Sequence, residues 1–403
     1  MNLTDHNDID FRNKTIMIRT DYNVPLDDVY NNISDHTRID KTIPTLKKII
    51  LKNPRLIILV SHLGRPDPSI YNNTLSLLPI KNYLSLKLNK KIHFLTDYFP
   101  NTDLSKFTGI VMLENIRFIK DEENYKPNNE LSQYLSKYID IYMNEAFSCC
   151  HRSHTSIVGV NAKYKIAGNL LFDEINHLIP VISKKNRKTL IVGGNKISDK
   201  IKLIENLIPE IDNLIIGGAM AFSFLKIINK LNIGKTLYYS NSEECVKQIK
   251  LLIRKYNVKL LLPIDWVIAD SIKSSECLTI NSNIPDDKMG LDIGTKTISL
   301  FNNVIDSISN DNIIVWNGPM GVFETKQYSY GTESIAKTLV SKKDTKIVIG
   351  GGDSTSALNK FVSQKDISIF LERNNHMSTA GGACLEFLEG KSLPGLTYLN
   401  NTL

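Results

Sequence analysis

Apolar runs of five to seven residues alternate with longer amphipathic stretches along the whole chain, the rhythm of βαβ units in a parallel sheet. The runs of the first half lie in TIMIRTDYN (15–23), LIILVSHLGR (56–65), IVMLENIR (110–117) and IDIYMNEAFSCCHR (139–152), and they lead into His, Arg or Asn. Those of the second half lie in LIVGGNK (190–196), LIIGGAM (214–220), IIVWNGPMG (313–321), IVIGGGD (347–353) and the shorter STAGGA (378–383), and they lead into glycine. The spacing between runs predicts helices over 37–52, 76–89 and 129–137, then over 199–208, 219–231, 242–256, 331–341 and 354–362. AGNLLFDEINHLIPVIS (167–183) has apolar residues at helical spacing and joins the two kinds of strand, so it reads as a connecting helix between two domains. The tail KSLPGLTYLNNTL (391–403) is too apolar for a free end and is expected to pack back on the body.

In open α/β sheets, ligands bind at the carboxyl ends of the strands. The first half therefore offers guanidinium and imidazole groups to a small anion. The second offers bare backbone to something bulkier and phosphorylated. Two ligands, one per half, point to group transfer between them.

A length of 403 residues exceeds one ordinary core and suits two domains of similar size. No apolar run nears the roughly 18 residues that span a bilayer. The start, MNLTDHNDID, carries acid and no apolar core segment, unlike a secretory signal. Five irregularly spaced cysteines (149, 150, 245, 277 and 384) fit a reducing cytoplasm and no CxxC metal pattern. The formal charge of +7 invites a nucleic-acid reading, yet the chain is rich in Asn, Ile and Lys, as AT-rich coding produces. Only ten of the 49 basic residues are arginine, so each Arg is informative. Arg38, Arg65, Arg117 and Arg152 fall at strand ends or helix starts, where a bidentate fork for phosphate or carboxylate cannot be swapped for Lys. Arg12, Arg55, Arg187, Arg254 and Arg373 read as solvated surface charges.

Several motifs carry chemistry, each with a bland alternative. SHLGRP (61–66) can present His62 and Arg65 from a tight turn at Gly64, or be an ordinary polar turn. HRSH (151–154), after Asn144 and Glu145, repeats that theme; a metal-binding His pair is the weaker alternative, since no ligand spacing supports it. RTDYN (19–23) sets Asp21 and Asn23 two apart to bond a hydroxyl, and an Asx-turn can coexist with that. GGNKISDK (193–200) opens a helix with Lys196 and Lys200 on one face and lacks the P-loop spacing. GGGDSTSA (350–357) makes a phosphate nest before Ser354 and Thr355, with Asp353 placed for Mg²⁺ rather than as an N-cap. GGAM (217–220), Leu291, Val322 and Glu324 can line a slot for a base and ribose, or be simple core. The adjacent Cys149 and Cys150 read as small apolar residues near a site, with thiols open to oxidation; neighbours in sequence rarely form a strain-free disulfide.

RTDYNVP, SHLGRP, LENIRF, NEAFSCCHRSH, GGNKISDKI, LDIG, IIVWNGPMGVFE, GGGDS and STAGGACLEFLEGK occur in the order and spacing of phosphoglycerate kinase, and from Arg19 to about Leu399 the chain resembles that family. The resemblance implies an α/β protein of two Rossmann-like domains with helix-covered parallel sheets, joined by a hinge helix. Residues 1–170 would bind phosphoglycerate, with the tail 389–403 packed back on them; residues 171–388 would bind nucleotide. Asp21, Asn23, Arg38, His62, Arg65, Arg117 and Arg152 match the phosphoglycerate-binding set. Gly193, Lys196, Lys200, Gly217, Leu291, Asn317, Val322, Glu324, Gly352, Asp353 and Ser354 match the nucleotide set, with Asp353 on Mg²⁺. Gly193, Gly217 and Gly352 would serve as backbone donors or close-approach positions. Arg38, Lys200 and Gly352 match the catalytic positions. The chain departs from the family at Asn195 for Ala, at Ala219 and Ala380 for Gly, and at Ser148, Cys149 and Cys150 for small residues. Asn195 adds bulk where adenine should sit.

The implied reaction is 1,3-bisphosphoglycerate + ADP ⇌ 3-phosphoglycerate + ATP, run by a cytoplasmic monomer with no nucleic-acid or membrane partner. The acceptor carboxylate is already ionised, so no general base is needed, and catalysis rests on positioning and charge neutralisation as the domains close. Two rivals stand beside it. A polyanion or RNA binder rests on the net charge, but the lysines are dispersed and not interleaved with aromatics. A drifted relative would have lost or retuned its nucleotide pocket at Asn195 and Ala219.

Overall fold

The computed structural model describes residues 3, 9–27, 32–68 and 70–400. The chain forms two compact units, Met1–Ile175 with Ser392–Leu403, and Asn176–Lys391. The first division falls inside the connecting helix Asn169–Ile182, beyond the 170/171 boundary expected from sequence. The helix start is tied to the first unit because the Leu170 N–H donates to Glu145 Oε2 at 2.8 Å. The second falls after Lys391, not after 388, because Asn206 Nδ2 donates to the Leu388 carbonyl and holds that stretch on the second unit.

The first unit holds β1 (Thr15–Arg19), β2 (Leu56–Val60), β3 (Ile92–Leu95), β4 (Gly109–Leu113), β5 (Ile141–Asn144) and β6 (Tyr164–Ala167) in one parallel sheet of order β3-β4-β2-β1-β5-β6. The inner strands are buried from end to end, as TIMIR and LIILV illustrate, because helices cover both faces of a parallel sheet. Ile16, Ile18, Ile57, Leu59 and Met143 pack with Ile39, Leu46 and Leu84 from the helices Thr37–Leu51 and Leu78–Leu88. The apolar tail does pack back. Helix Pro394–Asn400 joins the first unit, with Leu396 and Leu399 buried, Gly395 N–H on the Cys150 carbonyl and Tyr398 Oη on that of Val160. Residues 401–403 lie outside the described residues.

The second unit holds β7 (Arg187–Val192), β8 (Ile211–Ile216), β9 (Lys259–Leu261), β10 (Trp266–Ala269), β11 (Leu278–Ile280), β12 (Met289–Ile293), β13 (Asn312–Asn317), β14 (Lys346–Ile349) and β15 (His376–Met377). Six of these form a second parallel sheet, β15-β14-β13-β7-β8-β9; the other three form an antiparallel sheet, β11-β10-β12. The expected strand at STAGGA is only His376–Met377; the glycines behind it form a turn into the helix Gly382–Leu388. In both parallel sheets the strand order reverses, between β1 and β5 and between β7 and β13. Such switch points open a crevice at the carboxyl edge.

Candidate active site

The anion site of the first unit gathers on the carboxyl ends of β1, β2, β4 and β5. Arg38, in the first turn of helix Thr37–Leu51, donates through Nη1 to Asp21 Oδ2 at 2.7 Å and to the Asn23 carbonyl at 3.2 Å. Ser148 Oγ donates to the same Asp21 oxygen at 2.5 Å. Burial alone would raise the Asp21 pKa, but the Arg38 guanidinium, helped by hydrogen bonds from Ser148 and the Asn23 N–H, holds it below the usual carboxylate range. The Asx-turn is present too, with Asn23 N–H on Asp21 Oδ1 at 3.1 Å. Asn23 Oδ1 accepts from the Gly64 N–H at 2.8 Å, and Arg117 Nη1 donates to the Gly64 carbonyl at 2.6 Å, so the SHLGRP turn is stitched to its neighbours on both sides. Gly64 takes a φ of +62°, the left-handed turn that glycine adopts most easily. His62 is buried, while Arg65 and Arg152 are exposed on their loops.

Sequence reasoning missed what stands behind these groups. Asn115, in LENIRF, accepts from the Leu63 and Arg117 N–H groups and donates to the Leu63 and Leu75 carbonyls, fixing the turn that carries His62. Arg19 closes β1 as a fully buried guanidinium with Nη2 3.3 Å from His62 Nδ1. Its place at the end of an apolar run was the available signal. The Cys149 and Cys150 reading needs correction on reactivity: both are buried, and burial pushes both thiols up, away from the reactive thiolate. The ligand atoms of Asp21, His62 and Cys149 lie within 4.8 Å of one another. The Arg19 and Arg38 guanidiniums beside them make that spot fit for an anion, not for a metal cation.

The glycine-edged site of the second unit sits at its switch point. A Cβ on Gly193 would collide with the Pro319 carbonyl, and one on Gly217 with Met320 Sδ. Their N–H groups are used inside the fold, on the Asn317 and Val192 carbonyls. Of the two roles expected for Gly193 and Gly217, close approach is therefore the one the backbone supports, and ligand donation is not. Gly352 differs. It opens helix Gly352–Phe361, whose first N–H groups have no intrahelical acceptor. The N-cap is Gly351 at φ +91°, which removes the N-cap reading of Asp353 and leaves that carboxylate exposed in the first turn.

Asn317 organises the charged part of the site. Its Oδ1 accepts from Lys200 Nζ, and its Nδ2 donates to the Gly350 carbonyl at 2.9 Å. Burial lowers the Lys200 pKa, while Asp199 and Asp353 work against that. Ser354 is fully buried with its hydroxyl accepting the Gly318 N–H at 2.7 Å, so it shapes the loop instead of lining open space. Lys196 lies over the Tyr239 ring, 4.9 Å from its centroid. A cavity of about 240 Å³ opens beside these groups, bounded by Leu291, Val322, Glu324 and Asp353 from the expected set and by Asn195 and Ala219. Leu237, Ile272 and Met289 add an apolar wall, the last from the antiparallel sheet that sequence patterning had not revealed.

The phosphoglycerate kinase family model matches residues 6–391. This chain belongs to the phosphoglycerate kinase family. It is 39% identical to the phosphoglycerate kinase of Dictyostelium discoideum, across 98% of this chain and 96% of that one. It is also 39% identical to the phosphoglycerate kinase of Thermosipho africanus, across 98% and 97%. The solved phosphoglycerate kinase of Coxiella burnetii superposes with a TM-score of 0.86 at 33% identity, covering 99% of each chain. The family reaction is reversible phosphoryl transfer between 1,3-bisphosphoglycerate and ADP. Of this chain's departures from the family pattern, Ala380 has an ordinary φ and the left-handed residue is Gly381 at +50°, so the extra methyl meets no backbone strain. Asn195 and Ala219 do border the cavity, where they set its shape.

Behind that cavity, buried Asp292 of the LDIG motif accepts the Ile293 N–H at 2.9 Å and the Gly331 N–H at 2.8 Å. Burial raises its pKa to about 8 despite those two donors. A folded pKa above the unfolded one stabilises the fold at low pH, and this share is lost as pH rises from about 4 through about 8. Asp292→Asn removes the titration, although its amide turns an NH₂ toward one of the two N–H donors and costs stability at every pH. Urea unfolding from pH 5 to 7 should therefore show the wild-type advantage over the variant shrinking by up to about 1.4 kcal/mol per pH unit. A constant difference would exclude Asp292 as the titrating group.

Proposed function

We propose that the chain is an active phosphoglycerate kinase in which the first unit holds 3-phosphoglycerate or 1,3-bisphosphoglycerate and the second holds ATP or ADP. Asp21 and Asn23 bond the substrate hydroxyl, while Arg65, Arg117 and Arg152 neutralise its anionic groups and His62 hydrogen-bonds to it. Arg38 of the first unit, and Lys200 and the Gly352 N–H of the second, take the catalytic roles. The single observation that carries this reading is the network of Arg38, Asp21, Asn23, Gly64 and Arg117 at the carboxyl edge of the first sheet. That arrangement has cations and N–H donors and needs no base, which suits a carboxylate nucleophile. Transfer is then direct and in line, with each unit supplying one partner and charge on the equatorial oxygens neutralised from the protein.

Asp353 fits Mg²⁺, because this small cation takes one or two carboxylates plus substrate phosphates and keeps several waters. When bound, Mg²⁺ neutralises charge on the nucleotide phosphates. The cavity walls Leu291 and Val322 take the base, and Glu324 the ribose. We read the protein as a monomer of the cytoplasm, without nucleic-acid or membrane partners. No disulfide joins its five cysteines, and among the described residues no helix is long and apolar enough to cross a membrane.

The deciding assay is phosphorylation of 3-phosphoglycerate by Mg·ATP, coupled to NADH oxidation. Steady turnover is expected. A chain that binds ATP and gives no turnover would instead be a drifted relative, and Asn195→Ala would be the first reversion to make.

A further inference from the structure

We propose that Arg19 is a positioning residue that fixes His62 as its Nε2–H tautomer, so that His62 meets the anionic substrate as a neutral hydrogen-bond donor and not as a cation. The inference rests on the placement of His62 in the anion site proposed above. Arg19 Nη2 lies 3.3 Å from His62 Nδ1. A guanidinium has donors and no acceptor, so Nδ1 must present its lone pair. A neutral imidazole with a lone pair on Nδ1 carries its proton on Nε2.

Arg19 is itself held in place. Its Nε donates to Ser156 Oγ at 2.7 Å and its Nη1 to the Thr20 carbonyl. Ser156 is held in turn by Glu122, which accepts its N–H at 2.8 Å and its hydroxyl at 2.6 Å and lies 4.0 Å from the Arg19 guanidinium. The whole assembly of Arg19, Glu122 and Ser156 is buried, so it cannot swing aside to release Nδ1. Cys149 Sγ, 4.0 Å from the same Nδ1, offers a second weak donor to the same lone pair.

Protonating Nδ1 would set an imidazolium against a guanidinium at that distance. Burial and Arg19 push the His62 pKa well below its ordinary value, with Arg117 and His154 adding to them and Asp21 opposing. The advantage to the site is directional. Five arginine donors per side chain supply charge, whereas a single N–H of fixed orientation supplies register for a substrate oxygen.

Histidine ¹⁵N NMR on the full chain tests this, with His62→Gln used to assign the signal. From pH 5 to 8 the expected spectrum is one unprotonated Nδ1 and one protonated Nε2, with the Nε2 signal moving when 3-phosphoglycerate is added. An imidazolium signature near pH 6, or an Nδ1–H tautomer, overturns the proposal. The expected tautomer with no response to 3-phosphoglycerate overturns the substrate contact alone, and the turnover assay separately decides the reaction. Arg19→Lys keeps the buried charge but not the fork; folded by circular dichroism, it should raise KM for 3-phosphoglycerate on the order of 10-fold and leave KM for ATP unchanged. A folded Arg19→Lys protein with unaltered KM and an unaltered His62 signal would remove Arg19 from this role.

Discussion

Truncation of Arg38 to alanine is expected to lower kcat by about 10²–10³-fold, the scale of one lost charge-stabilising donor. No base takes part in the proposed transfer, so most of the acceleration must come from position and from neutralising charge on the phosphoryl oxygens. Arg38 is held for that task. Its Nη1 is ion-paired to Asp21, which Ser148 also grips, and the pair keeps the guanidinium at the edge of the sheet. An interaction that strengthens only as charge spreads in the transition state appears in kcat, and ground-state binding changes less. The ATP affinity should stay within about 2-fold of the parent, since the nucleotide groups belong to the other unit. Arg38→Lys should recover only part of the loss, because an ammonium cannot span Asp21 and the phosphoryl oxygens with one planar fork. Single-turnover kinetics at saturating substrate checks the assignment. A folded Arg38→Ala enzyme within about 5-fold of the parent kcat would remove Arg38 from the reacting centre.

Much of this architecture was legible because parallel inner strands are buried on both faces and so read as unbroken apolar runs. The runs that became β1, β2, β7 and β13 stand out for that reason. The strands at the sheet edges did not stand out: β3, β6 and β9 are short and half-exposed, and their mixed residues look like loop. The antiparallel sheet escaped as well, since the exposed Leu278 and Thr279 of β11 lie among serines and asparagines. The charged half of the site was visible residue by residue, whereas its supports were not. Arg19 and Ser148 act through other side chains and Asn115 through backbone groups, and nothing local in the sequence marks a group whose partner lies 40 or more positions away, as in the Arg19–His62 and Asn115–Leu63 pairs. The glycine loops were visible, but the choice between donor and close-approach roles for Gly193 and Gly217 was not, because which N–H is free depends on the strand beside it.

The Asn-rich composition, first a mere bias, acquired a structural use. Of the seven non-glycine residues with positive φ among those described, six are asparagine: Asn13, Asn53, Asn89, Asn128, Asn257 and Asn374. Asn89 and Asn257 close the helices Leu78–Leu88 and Ser242–Tyr256 in the left-handed conformation that asparagine tolerates best after glycine. The chain places Asn where many proteins place Gly, and many of its glycines stay in the loops of the second unit's candidate site.

Lys200→Met should cost a comparable 10²–10³-fold in kcat, and the reason lies in how the ammonium is aimed. Lys200 is largely buried behind the glycine loops, with Nζ bonded to Asn317 Oδ1. Asn317 is in turn pinned to the Gly350 carbonyl at the loop that opens helix Gly352–Phe361. The cation is thereby tied to the loop that opens the helix, so in the proposed site both would meet the same anionic group. Desolvation lowers the Lys200 pKa, but Asp199 and Asp353 support the charged form that the transfer requires. Methionine keeps the length and apolar contacts of the side chain and removes only the charge. Isothermal titration should accordingly show ATP bound within about 10-fold of the parent affinity while single-turnover transfer collapses. Asn317→Ala separates charge from aim: it leaves the ammonium in place, frees it from its acceptor, and should give a loss intermediate between parent and Lys200→Met. If Asn317→Ala matched the parent while Lys200→Met was silent, the ammonium would act without that tether. If both retained full kcat with normal ATP binding, phosphoryl neutralisation would rest on Arg38 and the helix N-terminus alone.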